Sequence, residues 1–314
     1  MKIAFLINRT VRKHDKIVRE IETVFKGMDI KFFQSEYPAH IMALAGTAIQ
    51  RGYKYIIAVG GDGTLNESIN GIIQAFKVGL SDSPESYNWE GVADIKIGLL
   101  PAGTGNDFSR TAGISGKAEH LLALIKGNRT QQVDIGLASF VSIKDLPVHR
   151  FFINITDVGM GGVVVKSIAK KHPFLSGAML YNYTIMKTFL TYDKSGVKCH
   201  NDEFQWEGKV MNLVVANGKY FGGGLGVAPE ASINDGQFSV VILGNINLVD
   251  YLRYLGDVRA CRKIVHPEVH YHSFDKLTIE SNDGEPLAID MDGEFVGYAP
   301  MTVVNLPRKV NIFM

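Results

Sequence analysis

The sequence predicts two domains, an α/β domain over residues 1–133 and a β-rich sandwich domain over residues 134–314, with the last strand free to return to the first domain. Three observations carry this. The chain has 314 residues, more than one hydrophobic core usually accommodates. Its first third alternates short apolar runs with stretches striped at helical spacing, the pattern of a parallel α/β sheet. After about Val133 the texture changes to strand-like runs separated by turn residues.

In the first domain, Lys2–Ile7 is a compact apolar run, as a buried parallel strand requires. Ile17, Ile21, Val24 and Phe25 recur at helical spacing. Ile30–Phe33 reads as a second strand, Ala39–Gln50 as a helix ending near Gly52, and Tyr55–Val59 as a third strand. Leu65, Ile69, Ile72 and Ile73 stripe the helix that follows, and Ile95–Leu100 is the next strand. Between them Val78–Asp94, with Ser81, Asp82, Ser83, Pro84 and Gly91, reads as an irregular surface loop. In the second domain strands are expected at Val141–Ile143, Phe151–Ile155, Val210–Ala216, Phe238–Leu243, Leu277–Ser281 and Val303–Leu306. Helices are expected near Gly177–Leu190 and Leu248–Lys263.

Hydrophobic residues make up 46% and charged residues 21%, an ordinary globular composition. Lys and Arg number 33 against 32 Asp and Glu, so a net charge of +1 gives no global reason to expect nucleic acid as a partner. Cys199 and Cys261 form no metal or redox motif and no disulfide framework, which fits a reduced, cytoplasmic compartment. The opening MKIAFLINRT stops being apolar at Asn8 and runs into Arg9, Arg12 and Lys13 without a small-residue cleavage site, so it reads as a strand rather than a leader. No run reaches ~18 apolar residues, so a membrane would be met from its surface. Leu248, Leu252 and Leu255 with Arg253, Arg259, Arg262 and Lys263 suit an amphipathic basic helix for that purpose, or equally a helix packed on a core with a wet basic face. The oligomeric state is left open, a homodimer included.

Two glycine-rich loops follow strands. Gly60-Gly61-Asp62-Gly63-Thr64 precedes a helix whose unpaired N–H groups and positive dipole end would favour phosphate. Glycines there allow positive φ and close approach of a ligand. Asp62 is placed to orient a nucleotide hydroxyl or a magnesium-bound water, and Thr64 offers a hydroxyl at the cap. The alternative is a tight turn with an ordinary N-cap, but three glycines around one carboxylate exceed what a turn requires. The segment is neither a Walker A loop nor a G-x-G-x-x-G fingerprint. Pro101-Ala102-Gly103-Thr104-Gly105-Asn106-Asp107-Phe108-Ser109-Arg110 offers a second phosphate-compatible loop at the same sheet edge.

Gly60-Gly61-Asp62-Gly63-Thr64-Leu65-Asn66-Glu67 resembles the nucleotide signature of the diacylglycerol kinase catalytic family, which is related to sphingosine kinases. The first half alone is shared with NAD kinases; the Asn66-Glu67 extension and the second loop favour the lipid kinase branch. The resemblance implies ATP as phosphate donor, with Gly60, Gly61, Asp62, Gly63, Thr64, Leu65, Asn66, Glu67 and Thr104 at the nucleotide. Asp107 and Arg110 read instead as a structural salt bridge. Where the family has Asn-Pro-x-Ser-Gly after its first strand, this chain keeps only Asn8; Arg9, Thr10 and Arg12 are carried with it as phosphate contacts, with a solvated basic turn the equal alternative. Ser35 stands where the family often has Thr beside ATP.

Further matches lie in the second domain. Ser232-Ile233-Asn234-Asp235-Gly236-Gln237 resembles a turn that holds a structural Mg²⁺ in bacterial relatives, which implies Asp235 with the carbonyls of Ser232 and Gln237; a plain hairpin turn is the alternative. In Ile289-Asp290-Met291-Asp292-Gly293-Glu294, three acids share one face if the chain is extended, an arrangement suited to a cation or to proton abstraction. By resemblance to the family's Asp-Gly-Glu, Glu294 is the general base for a lipid hydroxyl and Asp292 supports it or helps hold the metal. The expected reaction is transfer of the ATP γ-phosphate to a lipid entering between the domains, most simply diacylglycerol. A sphingoid or ceramide kinase, an NAD kinase and a non-catalytic lipid or nucleotide sensor remain the competing readings.

Overall fold

The computed structural model describes residues 1–168 and 177–314 and divides into two compact units. The first comprises Met1–Ile135 and Pro307–Met314, the second Gly136–Leu306.

Chain order in the first unit is β1 (Lys2–Ile7), α1 (His14–Val24), β2 (Asp29–Gln34), α2 (His40–Gln50), β3 (Tyr55–Gly60), α3 (Asp62–Ala75), α4 (Trp89–Ala93), β4 (Lys96–Pro101), α5 (Asp107–Ala112), α6 (Ala118–Lys126) and the start of β5 (Thr130–Ser142). The strands pair in parallel in the order β2, β1, β3, β4. The continuous apolar runs of β1 and β3 follow from burial on both faces, with Ile3, Phe5, Ile57 and Val59 packed against Ile21 and Phe25 of the α1 region and Leu121 and Leu124 of α6. The final strand joins β4 through Asn311 and Ile312.

Helices α2 and α3 touch backbone to backbone. A Cβ on Gly71 would overlap the carbonyl oxygen of Met42 and come within 2.8 Å of the Ala45 Cβ. The Glu67 carboxylate of α3 accepts the N–H of Ile41 at 3.0 Å, filling one of the donors that every helix start leaves unpaired. The 78–94 segment departs from the expected loop. It carries a bridge between Lys77 and Tyr87, a 3₁₀ turn at Pro84–Ser86 and α4, because Tyr87 and Val92 are buried.

The second unit continues with β6 (Pro147–Phe152), β7 (Ile155–Gly159), α7 (Met160–Ile168), α8 (Gly177–Thr191), β8 (Ser195–His200), β9 (Gln205–Val210), β10 (Asn212–Ala216), β11 (Tyr220–Phe221), β12 (Leu225–Gly226), β13 (Phe238–Leu243), α9 (Leu248–Arg259), β14 (Val269–Phe274), β15 (Lys276–Ser281), β16 (Ala288–Met291) and β17 (Glu294–Phe313). One run of antiparallel neighbours is β14, β13, β10, β7, β16, β17; another leaves β17 through β15 and β8 to β9. Their inward residues share a core that includes Phe152, Val158, Val197, Val215, Val240 and Ile279.

Several expected strands differ in extent. Phe151–Ile155 is broken at Ile153 and Asn154, and Val210–Ala216 at Met211. Strand β5 begins at Thr130, well before Val141, because the polar residues Gln131, Gln132 and Asp134 hid it. Strand β17 runs for 20 residues through Pro300 and Pro307, which read as breaks. Helix α9 ends at Arg259, four residues short of Lys263, and Cys261 then takes the left-handed conformation.

Replacing Gly71 with Ala is expected to cost about 1–3 kcal/mol by forcing α2 and α3 apart. A urea midpoint equal to wild type would show that the helices can separate freely.

Candidate active site

Strands β3 and β4 are parallel neighbours, so the loops after them lie side by side at the carboxyl edge of the sheet, where α/β sheets bind ligands. The first-loop glycines do not take positive φ; Gly61 sits at φ −99, ψ −164. Close packing requires them instead. A Cβ on Gly60 would overlap the Thr64 side chain, and one on Gly103 would overlap the Cα of Gly61. The loops cross backbone against backbone, fastened by Ala102 N–H donating to the Gly60 carbonyl at 2.8 Å.

Asp62 completes the junction. Its Oδ2 accepts the N–H of Asp107 at 3.0 Å and its Oδ1 the N–H of Phe108 at 2.9 Å. The carboxylate therefore caps α5 from the neighbouring loop. Asn106 closes its own loop onto Gly103, through Oδ1 and Nδ2, rather than capping the helix. Asp107 pairs with Arg110 at 2.6 Å.

The other nucleotide residues divide by exposure. Leu65, Asn66, Glu67 and Thr64 turn their side chains inward, and Asn66 accepts from Asn70. Thr104, Arg9, Thr10 and Arg12 are exposed. Asn8 Oδ1 accepts both the N–H and the hydroxyl of Thr10, shaping the turn after β1. Buried Ser35 accepts the N–H of Arg9 at 2.9 Å, and the Arg9 guanidinium donates to the Glu36 carbonyl. The loops after β1 and β2 are thus joined in the same manner as those after β3 and β4.

In the second unit Asp290, Asp292 and Glu294 do not share the extended face expected of them. The chain reverses at Asp292-Gly293, both at positive φ (48° and 85°), and the three carboxylates take different environments. Asp292 is buried, its Oδ1 accepting the N–H groups of Asn154 and Ile155 and its Oδ2 that of Ile153, all at 2.9–3.0 Å. Asp290 is buried and accepts the Gly293 N–H at 2.9 Å. Glu294 keeps its side chain 40% exposed and pairs through Oε2 with Arg150 Nη2 at 2.7 Å.

Two further groups were not anticipated. Nothing in the sequence signals Arg150, which follows an ordinary turn. Asp157 carries a visible signal, as one carboxylate within the apolar run Ile155-Thr156-Asp157-Val158. It lies directly opposite Asp290 across the β7–β16 pair, completely buried, with no donor in good hydrogen-bond geometry to either oxygen. Gly161 leaves room for it, since a Cβ there would overlap the carboxyl group. Burial raises the Asp157 carboxyl to about 7, relieved in part by the Asn212 side chain and the Gly162 N–H. Asp290 is also held well above the usual carboxylate range, by burial first and then by the charges of Asp157 and Asp292.

The Asp235 turn faces a polar cavity of about 220 Å³ lined by Glu230, Ser232, Asp235, Ser239, His272 and Ser273. Asp235 Oδ1 accepts the Gln237 N–H at 3.1 Å, and Gln237 Oε1 accepts from Ser273. This oxygen-rich set fits a hard cation, although no group of three or more His, Cys, Asp or Glu side chains suited to a metal occurs among the described residues. A second cavity, of about 90 Å³ and almost wholly apolar, is lined by Met160 of α7, Ile185 and Phe189 of α8, Met211, and Tyr251 and Val258 of α9.

Comparisons with known proteins match the chain in two segments. Residues 2–138 match the family model described as the diacylglycerol kinase catalytic domain, and residues 156–314 that of the YegS C-terminal NAD kinase beta sandwich-like domain. The chain is 28% identical to a diacylglycerol kinase of Bacillus subtilis, covering 90% of this chain and 88% of that one. It is 32% identical to a Pseudomonas putida protein named "Probable lipid kinase YegS-like", over 78% and 74%. The crystal structure of a diacylglycerol kinase from Bacillus anthracis shares the fold, with a TM-score of 0.68 at 18% identity over 99% of this chain and 96% of that one.

Asp157 binds its proton more tightly folded than unfolded, since its value rises from 3.8 to about 7. Its contribution to stability is complete below the unfolded value and is lost as pH rises through 7. Between about pH 5 and pH 8, wild type is therefore expected to lose stability relative to Asp157→Asn. Parallel urea-midpoint curves for the two proteins would show that Asp157 does not titrate in that range.

Proposed function

This chain belongs to the diacylglycerol kinase catalytic-domain family of lipid kinases, and on that premise we propose that it transfers the γ-phosphate of ATP to the hydroxyl of a membrane lipid, most simply diacylglycerol to phosphatidic acid. The observation that carries this reading is the selective exposure of Glu294. Of the three acids in its segment, Asp290 and Asp292 are buried, and the Glu294 carboxylate alone is open to a substrate.

The joined loops after β3 and β4 hold the phosphates of ATP against the start of α3, with exposed Thr104, Arg9 and Arg12 available to the nucleotide. Mg²⁺, when bound with ATP, would offset charge on the phosphates. A structural ion would be held by Asp235 with Ser232 and Gln237. In the chemical step Glu294 takes the proton of the lipid hydroxyl. The hydroxyl oxygen attacks the γ-phosphorus, and the bond to the β–γ bridging oxygen breaks as ADP leaves with the electron pair. Asp292, committed to three backbone N–H groups, supports the turn that presents Glu294.

The apolar cavity is the natural shelter for an acyl chain. Helix α7, which walls it, rests on β16, the strand leading to the Glu294 turn; a Cβ on Gly162 would overlap the Ala288 carbonyl. Around the cavity, α8 exposes Met179, Tyr183 and Leu190 on one face, and α9 exposes Val249 and Leu252. The helices meet through Phe189 and Tyr251, whose rings lie 4.7 Å apart. Exposed Arg253 and Arg259 add positive charge to α9. An apolar patch edged by arginine suits the surface of an anionic bilayer. Among the described residues no helix is long and apolar enough to cross a membrane.

Glu294→Gln is expected to lower phosphoryl transfer about 10²- to 10⁴-fold while ATP binding is preserved. Full activity of that variant would remove Glu294 from the chemistry. Labelled ATP offered with diacylglycerol, ceramide, a sphingoid base and NAD should place label on diacylglycerol, and label on any other acceptor instead would reassign the substrate. Liposome flotation should recover the protein with anionic vesicles and less of the Leu252→Glu variant. Equal recovery of both would exclude docking through α9.

A further inference from the structure

Glu294 does not stand alone. Among the described residues its Oε2 has one partner, Arg150, and its Oε1 has none. The two residues are 144 positions apart, and a single segment brings them together. Strand β6 carries Arg150 and runs directly into Ile153, Asn154 and Ile155, whose N–H groups clasp Asp292. The same few residues therefore grip the turn by their backbone and the acid beyond it by a side chain.

The pair is partly shielded from solvent, the Arg150 side chain being 20% exposed and Glu294 40%. The guanidinium engages one carboxylate oxygen through one nitrogen, Nη2. A free glutamate side chain samples several rotamers and presents either oxygen, whereas this one is held at a single orientation with one oxygen uncommitted. Proton abstraction in a phosphoryl transfer depends on such placement, because misdirection by about 1 Å is enough to slow a reaction roughly 10²-fold.

We infer that Arg150 is a positioning residue for phosphoryl transfer, holding Oε2 of Glu294 so that Oε1 is the sole acceptor of the proton from the lipid hydroxyl. This rests on the assignment of Glu294 as the base. The proton passes to Oε1, the hydroxyl oxygen bonds to the γ-phosphorus, and ADP departs with the electrons of the broken bond. Arg150 contacts neither ATP nor the lipid in this scheme, so its loss slows the step without weakening either substrate.

The test uses the full-length chain with ATP and diacylglycerol-containing vesicles, comparing wild type, Arg150→Met, Arg150→Lys, Glu294→Gln and the Arg150→Met/Glu294→Gln double variant. Arg150→Met is expected to lower kcat by about 10- to 100-fold with KM for both substrates held within about twofold. Arg150→Lys recovers part of the rate because charge returns without the planar fork. The double variant is no slower than Glu294→Gln alone. Unchanged kcat in Arg150→Met, or a loss confined to KM or matched by a lower melting midpoint, overturns the inference while leaving the base assignment standing. An active Glu294→Gln variant overturns the base assignment itself, and the inference with it.

Discussion

The carboxylate of Asp292 is the constraint on which the turn that presents Glu294 depends. Three successive amides, at Ile153, Asn154 and Ile155, converge on its two oxygens. They belong to the break between β6 and β7, where the first two have no place in a strand and would otherwise be buried without partners. Asp292 in turn sits at positive φ, a conformation that a non-glycine residue holds only when its surroundings insist. Each need is met by the other. The first unit uses the same device, with Asp62 taking the N–H groups that the start of α5 leaves without helical partners. In both units an aspartate of a sequence motif acts first as a cap for another segment, and the loop so fixed is what remains available for chemistry.

That device also explains how several acids coexist in one corner of the β-rich unit. Asp157, Asp292 and Glu294 all push the Asp290 carboxyl upward, and mutual repulsion would make a cluster of four charges costly. The structure divides the burden. Asp292 receives three amides. Glu294 receives Arg150 and solvent. Asp157 and Asp290, facing each other in the dry layer beneath α7, hold protons to higher pH than ordinary carboxyls do. Such a pair adds nothing obvious to catalysis, yet it lets β7 and β16 lie side by side without an uncompensated charge between them.

How much of this was legible in the sequence follows from which interactions are local. The parallel sheet of the first unit was readable nearly to the residue, because burial on both faces leaves continuous apolar runs such as Tyr55–Val59. The β-rich unit was readable in kind but not in boundaries. Thr130–Asp134 is too polar to read as strand, and Pro300 and Pro307 look like breaks within what is one strand. As candidates, the site residues were legible where a family signature marked them, at positions 60–67, 101–110 and 292–294. The inward turn of Leu65, Asn66 and Glu67 was not, since a motif fixes residue types without saying which face they take. Arg150 was invisible, because a pairing across 144 residues leaves no periodicity or spacing to find.

The glycines of the nucleotide signature show why a motif can be right for a reason other than the one it suggests. A glycine in a phosphate loop suggests positive φ or close approach of the ligand, yet Gly60 is required by Thr64 and Gly103 by Gly61. Gly105 is confined as well, since a Cβ there would stand 3.2 Å from Asp62 Oδ2 and 3.1 Å from Asp107 Oδ2. Each loop is thus the wall against which the other is shaped. A side chain added to either would displace the Asp62 cap and, with it, the start of α5. Two signatures well apart in the chain therefore behave as one object, and their joint presence carries more weight than two independent matches would, because neither backbone could adopt its course without the other.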